Sequence, residues 1–318
     1  MNNLQTISKE NSVMAEGTLF DLVTRWISFM DVKPRTAETY KRSIKQFFAW
    51  MERTGCKAPS REDVLSYRRE LEDQGKKAAT IAGYLAAVKV FFTWTETEGL
   101  YPNVAEHVKA PRIERNTYKK DYLTSRQAAK LIGTAAGDTL TDKRDYAILA
   151  LMSTAGLRTI EVSRADIGDL RTVGEETALF LQGKGRDDKR EFVKLAEPVE
   201  TAIREYLKAR GPVKSNEPLF VSASNHNSGG RMTTRSISRI VKGHLLAAGF
   251  NSDRLTAHSL RHTAGTLMLK QGATVQEVQA VLRHHNINTT MIYAHVLDRE
   301  KNHAESLAAN AIFGKRAS

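Results

Sequence analysis

The sequence predicts a mainly α-helical protein with a small antiparallel sheet, in which four N-terminal helices precede a mixed α+β part. Three observations predict this architecture. Apolar residues recur at helical spacing up to about residue 105, and no strand pattern interrupts them. Two short alternating runs, 177–181 and 191–195, flank a glycine-rich turn, which is typical of a β-hairpin. A charged, proline-containing segment at 111–120 is typical of a linker between domains.

The N-terminal part, 17–110, is expected to form a four-helix domain after a flexible N-terminus at 1–16. Its first helix carries a stripe of apolar residues. Ser60 and Asp63 have the spacing of a capping box, which predicts that the third helix begins there. The four helices are expected at 18–30, from 36 onward, from 60 to 75 and from 78 to 98.

The C-terminal part, 121–318, is expected to combine helices with the hairpin. Thr124 and Gln127 have the spacing of another capping box, and a strongly apolar helix follows at 142–155. The later helices are expected at about 197–210, 233–248, 258–271 and 274–283.

The composition favours a polyanionic partner. The 318 residues include 48 lysines and arginines against 36 aspartates and glutamates, a net charge of +12. Residues 117–318 contribute +9 of that charge and residues 1–116 contribute +3. Nucleic acid is the simplest such partner for a soluble chain. The absence of an 18-residue apolar run and of a signal-peptide pattern predicts no membrane contact, and the single cysteine, Cys56, is typical of a cytoplasmic protein.

Four segments of the C-terminal part combine reactive side chains. They are AGLRTIEV (155–162), QGKGRDDKR (182–190), HSLRHTAGTLMLKQG (258–272) and VLRHHNINTTMIYAH (281–295). Each segment alone has an ordinary structural interpretation. Arg158 or Lys184 would be solvated, His258 would be a helix-surface neighbour of His262, and Tyr293 would be a core residue.

Together, the four segments closely resemble the tyrosine recombinase (phage integrase) family. The resemblance depends on the order of side chains and on their spacing, and it covers about 17–310. The matching positions are Gly156, Arg158 and Glu161, then Lys184, then His258, Arg261, His262 and Thr263, and finally Leu282, His284, Thr289, Thr290, Tyr293 and His295.

The resemblance implies a SAM-like N-terminal core-binding domain, which clamps DNA, and an α+β catalytic domain. It implies site-specific cutting and rejoining of DNA through a 3′-phosphotyrosyl bond to Tyr293. Bidentate guanidinium groups suit non-bridging phosphate oxygens, and the resemblance adds a histidine donor. The implied roles are phosphate binding by Arg158, Arg261 and His284, general acid catalysis by Lys184, proton acceptance by His258, and support by Glu161, which holds its helix or a catalytic histidine.

No cofactor and no metal are expected, because two guanidinium groups supply the positive charge that phosphoryl transfer needs. A zinc site at His258 and His262 is disfavoured, since the glutamate of the His-Glu-x-x-His pattern is missing. The implied partners are double-stranded DNA with specific recombination sites, further copies of the chain in a tetramer on two sites, and accessory or partner recombinase proteins.

Two positions depart from the family pattern. Arg283 stands where a glycine commonly precedes the second histidine, and we expect its side chain to contact DNA or to point to solvent. His285 stands where a small polar residue is usual.

Basic residues outside the motifs are candidates for DNA contacts, with a solvated surface as the alternative. They are Lys41, Arg42, Lys45, Lys76 and Lys77 in the N-terminal part, and Arg231, Arg235, Arg239 and Lys242, expected as one stripe at the start of a helix. The C-terminal segment 298–313 contains Leu307, Ile312 and Phe313. The resemblance implies that this tail docks on a neighbouring copy, and packing on its own domain is the alternative.

Two other functions remain open from the residues. One is a DNA-binding protein of the same fold without catalytic activity, suggested by Arg283 and His285. The other is an enzyme similar to type IB topoisomerases, which share the tyrosine and arginine chemistry. Retention of the expected catalytic side chains and the small helical N-terminal part favour the recombinase.

Overall fold

The computed structural model describes residues 16–113, 121–183 and 188–314. The chain divides into two compact units, 1–115 and 116–318. The division lies within the segment that the sequence predicts as a linker. The predicted fold class, mainly helical with a small antiparallel sheet, is confirmed.

In the described part of the first unit, all regular secondary structure is helical. Its helices are α1 (Glu16–Phe29), α2 (Pro34–Thr54), α3 (Arg61–Asp73) and α4 (Ala78–Thr97). The predicted capping box opens α3, where the Asp63 carboxylate accepts the backbone N–H of Ser60 at 2.8 Å. The core is aromatic, and Trp26 meets Phe91 edge-on at 5.4 Å between ring centroids.

Helix α4 is long and apolar enough to span a membrane by length and composition, although the sequence analysis predicts no such segment. Its interior face explains this composition. Ile81, Leu85, Val88 and Phe92 are buried in the core of the first unit, where α4 packs against α2. The apolar residues of α4 are therefore those of a core helix.

Within the described residues, the second unit combines nine α-helices and one short 3-10 helix, Ile167–Asp169, with one sheet. The helices are α5 (Ser125–Gly133), α6 (Leu140–Ala155), α7 (Thr159–Arg164), α8 (Glu197–Arg210), α9 (Thr234–Ala247), α10 (Ala257–Lys270), α11 (Val275–Leu282), α12 (Asn288–Lys301) and α13 (Ala304–Phe313). Helix α6 lies at the centre and packs against α8 and α10. The apolar residues that predict α6 form the middle of this core, and Leu149 and Leu151 are fully buried.

The sheet has three antiparallel strands in the order β1 (Leu170–Val173), β2 (Glu176–Leu181) and β3 (Glu191–Lys194). Leu179 of β2 pairs with Leu170 of β1 on one side and with Val193 of β3 on the other. The sequence analysis predicts the β2–β3 hairpin and misses β1. Its two central residues are exposed and its two ends are half-buried, so β1 has no alternating apolar pattern.

Helix α13 is unlike the other helices of this unit, because it has no buried side chain. Leu307 is 70 % exposed, Ile312 is 71 % exposed and Phe313 is 81 % exposed. The alternative that this tail packs on its own domain is therefore wrong for this structure.

Candidate active site

The Gly-x-Arg-x-x-Glu motif forms the turn between α6 and α7. Gly156 ends α6 in the left-handed conformation, with φ of 63°, and Arg158 is the N-cap of α7. Glu161 is the third helical residue, so its carboxylate reaches back to the N-cap. It accepts the backbone N–H of Arg158 at 2.7 Å and Nη1 of the same residue at 2.8 Å. The spacing of three residues is therefore the spacing of a capping interaction.

Arg261 connects three elements from its position on α10. Its side chain is fully buried, at 1 % exposure. Nη1 donates to the carbonyl of Gly156 at the end of α6, at 2.7 Å, and Nη2 donates to the carbonyl of Leu282 at the end of α11. The C-terminal carbonyls of a helix lack partners within the helix and attract positive charge. Arg261 thus fixes the two turns that carry Arg158 and His284.

Leu282 lies between the same elements. It is fully buried. A Cβ atom on Gly156 would lie 2.4 Å from Cδ2 of Leu282, and a Cβ atom on Gly265 of α10 would lie 2.9 Å from Cδ1. The backbones of α6 and α10 therefore approach α11 as closely as they do because both positions are glycine.

Arg283 corrects an expectation from the sequence. Its side chain neither points to solvent nor is free to contact DNA, because the side chain is 4 % exposed and Nη2 donates to Glu161 Oε2 at 2.7 Å. The physical reason is the carboxylate of Glu161, which is fully buried and needs compensating charge. Arg283 also takes the left-handed conformation, with φ of 55°, as the C-cap of α11.

The pKa of Glu161 reflects these contacts. Burial raises it, but the charge and hydrogen bonds of Arg283, with the backbone N–H and charge of Arg158, lower it below the ordinary value. Glu161 is thus a carboxylate at neutral pH. The sequence analysis leaves open whether Glu161 holds its helix or a catalytic histidine, and the contacts are those of the first role.

His284 directly follows Arg283 in the loop between α11 and α12. Its Nδ1 lies 2.8 Å from Oγ1 of Thr290, a buried residue of α12. Burial, together with the charges of Arg261 and Arg158, lowers the pKa of His284 to about 3. The imidazole is therefore neutral. In the tautomer whose Nδ1 accepts from the Thr290 hydroxyl, the ring proton is on Nε2, where it can be donated to a phosphate oxygen.

Tyr293 lies on α12 and is 1 % exposed. Its ring stacks with His284 at 6.1 Å and meets His262 edge-on at 5.3 Å between centroids. Burial raises the pKa of Tyr293, although Arg261 and Arg158 act to lower it. The phenol is thus protonated in this state, and it must lose a proton to act as a nucleophile.

His262 lies between His258 and Tyr293 and contacts both rings. The His258 ring is exposed on α10, one turn before His262, and lies 4.7 Å from the His262 ring. The sequence analysis treats His262 only as a motif residue and as a weak zinc candidate. The spacing of His258, His262 and Gly265 places all three on one face of α10, which is the available sequence signal for a contact with Tyr293.

The charge of the site is concentrated on two guanidinium groups. Burial, together with the nearby charge of Arg158, lowers the pKa of Arg261 to about 9. The Arg158 side chain is 28 % exposed, so one of the two cations is open to solvent. A phosphodiester anion between Arg158 and Arg261 would relieve their repulsion, so the arrangement suits the binding of such a group.

Lys184, the expected general acid, lies outside the described residues. The described ends of its loop both contact Arg164, the last residue of α7. Nη1 of Arg164 donates to the carbonyl of Gly183 at 3.3 Å, and Nζ of Lys189 donates to the carbonyl of Arg164 at 3.2 Å. Lys189 also pairs with Asp166 and Asp169, so its ammonium group is bound within the fold.

The expected basic stripe on α9 divides in two. Arg231 precedes the helix instead of lying on it, and pairs with Asp166, while Lys242 donates to the carbonyl of Ser252 at 2.8 Å. Arg235 and Arg239 lie on α9 and are exposed. In the first unit, Lys41 is half-buried on α2, and the exposed residues are Arg42, Lys45, Lys76 and Lys77.

Comparisons with known proteins agree with this geometry. The model of the phage integrase family matches residues 121–300, and that of its N-terminal SAM-like domain matches residues 30–99. The tyrosine recombinase XerC of Corynebacterium efficiens is 35 % identical over 70 % of this chain and 69 % of its own. XerC of Pelobacter propionicus is 32 % identical over 85 % and 87 %.

A solved structure shares the fold. The XerH site-specific recombinase, in a post-cleavage complex with a palindromic difH substrate, aligns with a TM-score of 0.69 at 21 % identity, over 86 % of this chain and 79 % of that one. The family model, the two XerC relatives, the arginine pair and the tyrosine agree, and the chain belongs to the phage integrase family of tyrosine recombinases.

Proposed function

We propose that this protein is a site-specific DNA recombinase, which cuts and rejoins DNA through a covalent bond to Tyr293. The observation that supports this most is the convergence of α7, α10, α11 and α12. Around the buried Leu282 these elements bring together Arg158, Arg261, His284 and Tyr293. The first and the last of these residues are 135 positions apart in the chain.

The proposed step is an in-line transesterification. The Tyr293 oxygen forms a bond to phosphorus while the bond from phosphorus to the 5′-oxygen breaks. The phenolic proton passes to His258, and Lys184 protonates the departing 5′-oxygen. Arg158 and Arg261 bind the non-bridging oxygens, and neutral His284 donates a further hydrogen bond. The ester bond is kept, so a new 5′-hydroxyl can reverse the step without a nucleotide cofactor.

The burial of Tyr293 adds one requirement. A phenol that is 1 % exposed cannot reach a DNA phosphate, and neither can the guanidinium group of Arg261, which is equally buried. Helix α12 must therefore shift, and the packing over Arg261 must open, before the attack. The resting state therefore separates DNA binding from cleavage. The packing of Tyr293 against His262 and His284 must be exchanged for contacts with the DNA.

The proposed partners are double-stranded DNA with specific recombination sites and further copies of the chain. Four copies would act on two sites in the cytoplasm, together with accessory or partner recombinase proteins. Helix α13 supports the assembly, since its exposed residues Leu307, Ile312 and Phe313 suit docking on a neighbouring copy.

The test begins with a randomised DNA duplex pool, from which the Tyr293→Phe protein selects its binding sites. Selected duplexes, nicked to trap the intermediate, are then incubated with the wild-type chain and a chelator. We expect a denaturation-resistant protein–DNA adduct that is absent with Tyr293→Phe and present with Tyr146→Phe, a matched change at an exposed tyrosine on α6.

Two other outcomes contradict the proposal. Selection of a specific site without an adduct would favour the non-catalytic DNA-binding protein. Relaxation of supercoiled plasmid by single copies of the chain, without preference for the selected site, would favour an enzyme similar to type IB topoisomerases.

A further inference from the structure

Arg283 is an unusual residue for its backbone position. Its φ of 55° lies in the left-handed region, where side chains other than glycine and asparagine are uncommon. Within the described chain, the other non-glycine residue with positive φ is His107, whose side chain is 83 % exposed. A buried guanidinium group at a strained position indicates that its contact compensates for the strain.

That contact is one buried carboxylate shared by two arginines. Oε1 of Glu161 accepts from Nη1 of Arg158 at 2.8 Å, and Oε2 accepts from Nη2 of Arg283 at 2.7 Å. With Arg158 alone, the pair would carry no net charge beside the phosphate. With Arg283 added, the three groups carry one net positive charge, and the carboxylate is no longer balanced by Arg158 alone.

The same residue connects two parts of the site. Arg283 lies between Leu282, whose carbonyl is bound by Arg261, and His284, whose ring is bound by Thr290. The Arg283 side chain links this loop directly to α7, the helix whose N-cap is Arg158. The positions of Arg158 and His284 relative to each other therefore depend on this ion pair.

We propose that Arg283 is a positioning residue for strand cleavage, which holds Glu161 so that Arg158 stays available to the phosphate and His284 stays beside it. This rests on the proposed function and adds a role at a position where the family commonly has glycine. Arg158 and His284 stabilise the transition state only if they are already held in the geometry that the phosphate needs. An ion pair that holds them there therefore contributes to transition-state binding.

The test separates cleavage from DNA binding and from folding. Arg283→Met removes the charge at similar length, and Arg283→Lys keeps the charge. Arg204→Met is the matched control, since it changes an exposed arginine of an i,i+4 pair on α8. For each variant, the adduct-forming rate at saturating nicked DNA is measured beside the DNA dissociation constant, at a temperature well below every melting point.

We expect Arg283→Met to lower the saturated rate about 10- to 100-fold, the usual effect of losing a partner that orients a binding group, with the dissociation constant changed less than about threefold. Arg283→Lys should recover part of the rate, and Arg204→Met should match the wild type. Adding Glu161→Gln to Arg283→Met should raise the rate above that of Arg283→Met alone, because the unbalanced carboxylate is gone.

The inference is overturned if Arg283→Met cleaves at the wild-type rate, or if it lowers melting temperature and rate together with no recovery in Arg283→Lys or in the double variant. Failure of the proposed function gives a different result. In that case the wild-type chain itself forms no adduct that depends on Tyr293, whatever stands at position 283.

Discussion

The ring of Tyr293 packs on the backbone of Gly265, and a Cβ atom built at Gly265 would lie 2.9 Å from Cε2 of that ring. The same Cβ atom would lie 2.9 Å from Cδ1 of Leu282. Gly265 is in the middle of α10, where glycine is otherwise unfavourable. The glycine therefore makes room for the tyrosine at a cost in helix stability.

Gly265→Ala should destabilise the protein by about 1–3 kcal/mol, the usual cost of overpacking a closely packed core. Gly243→Ala is the matched control, since Gly243 lies within α9 and a Cβ atom there would contact nothing within 4 Å. The control should gain about 0.5–1 kcal/mol from helix propensity. Urea unfolding measures both, and equal effects of the two changes would contradict the close packing at Tyr293.

In the Glu161→Gln variant, the free energy of unfolding should fall less steeply with decreasing pH than in the wild type. Although burial raises the pKa of Glu161, pairing with Arg283 and Arg158 holds it below the ordinary value, so the unfolded chain binds the proton more tightly. The ionised pair thus stabilises the fold fully above about pH 4.3, the unperturbed glutamate value, and this is lost as the pH falls through the folded-state pKa.

The measurement is the free energy of unfolding at pH 7 and at pH 3.5. At pH 7 we expect Glu161→Gln to cost about 3 kcal/mol, as for a broken buried ion pair, and at pH 3.5 the difference from wild type should shrink. A difference that stays constant over this range would show that ionisation of Glu161 contributes nothing.

His284 should not titrate in the physiological range. Its pKa of about 3, set by burial and by the charges of Arg261 and Arg158, keeps the ring neutral. The nitrogen chemical shifts of His284 should stay constant from pH 5 to pH 8, with the pattern of one neutral tautomer fixed by Thr290. A titration midpoint near the unperturbed value of about 6.5 would mean that the imidazole is solvated.

The arginines around α9 should differ in how they affect DNA binding. Arg235→Ala and Arg239→Ala remove exposed cations, and each should reduce the slope of log affinity against log salt by about 0.9 if it contacts a phosphate. Arg231→Ala should leave the slope unchanged and lower the melting temperature, because Arg231 pairs with Asp166 and donates to the carbonyl of Ser163. Equal slopes for all three variants would contradict this division.

Changes in α13 should affect assembly but not folding. Replacing Leu307, Ile312 and Phe313 together by serine removes no buried side chain, so the melting temperature of the single chain should not change. The proposed docking predicts fewer protein copies per DNA complex in sedimentation velocity, with unchanged binding of one copy to one half-site. A lower melting temperature of the free chain would instead place this helix on its own domain.

Local rules explain what the sequence predicts well. The capping boxes at Ser60 and Thr124 depend on residues three positions apart, and both are present. The Gly156–Arg158–Glu161 spacing is of the same kind, since Glu161 caps the start of α7, although the sequence analysis predicts no turn at this position.

Long-range contacts explain what the sequence does not predict. The side chain of Arg283 points to Glu161, which is 122 positions away in the chain. No local sequence pattern predicts that the two residues meet. Strand β1 is stabilised by pairing with β2, since its own residues do not alternate. The division of the basic residues near α9 depends likewise on Asp166 and on the carbonyl of Ser252.

Leu282 has a consequence for how this enzyme would be mapped by mutation. It meets Gly156 and Gly265 with its two methyl groups and Arg261 with its carbonyl, yet it carries no group that could bind a phosphate or move a proton. A random screen for loss of cleavage would therefore recover Leu282 beside the arginines and the tyrosine. An inert aliphatic residue would then score as if it were reactive, because its packing sets the distances between the reactive groups.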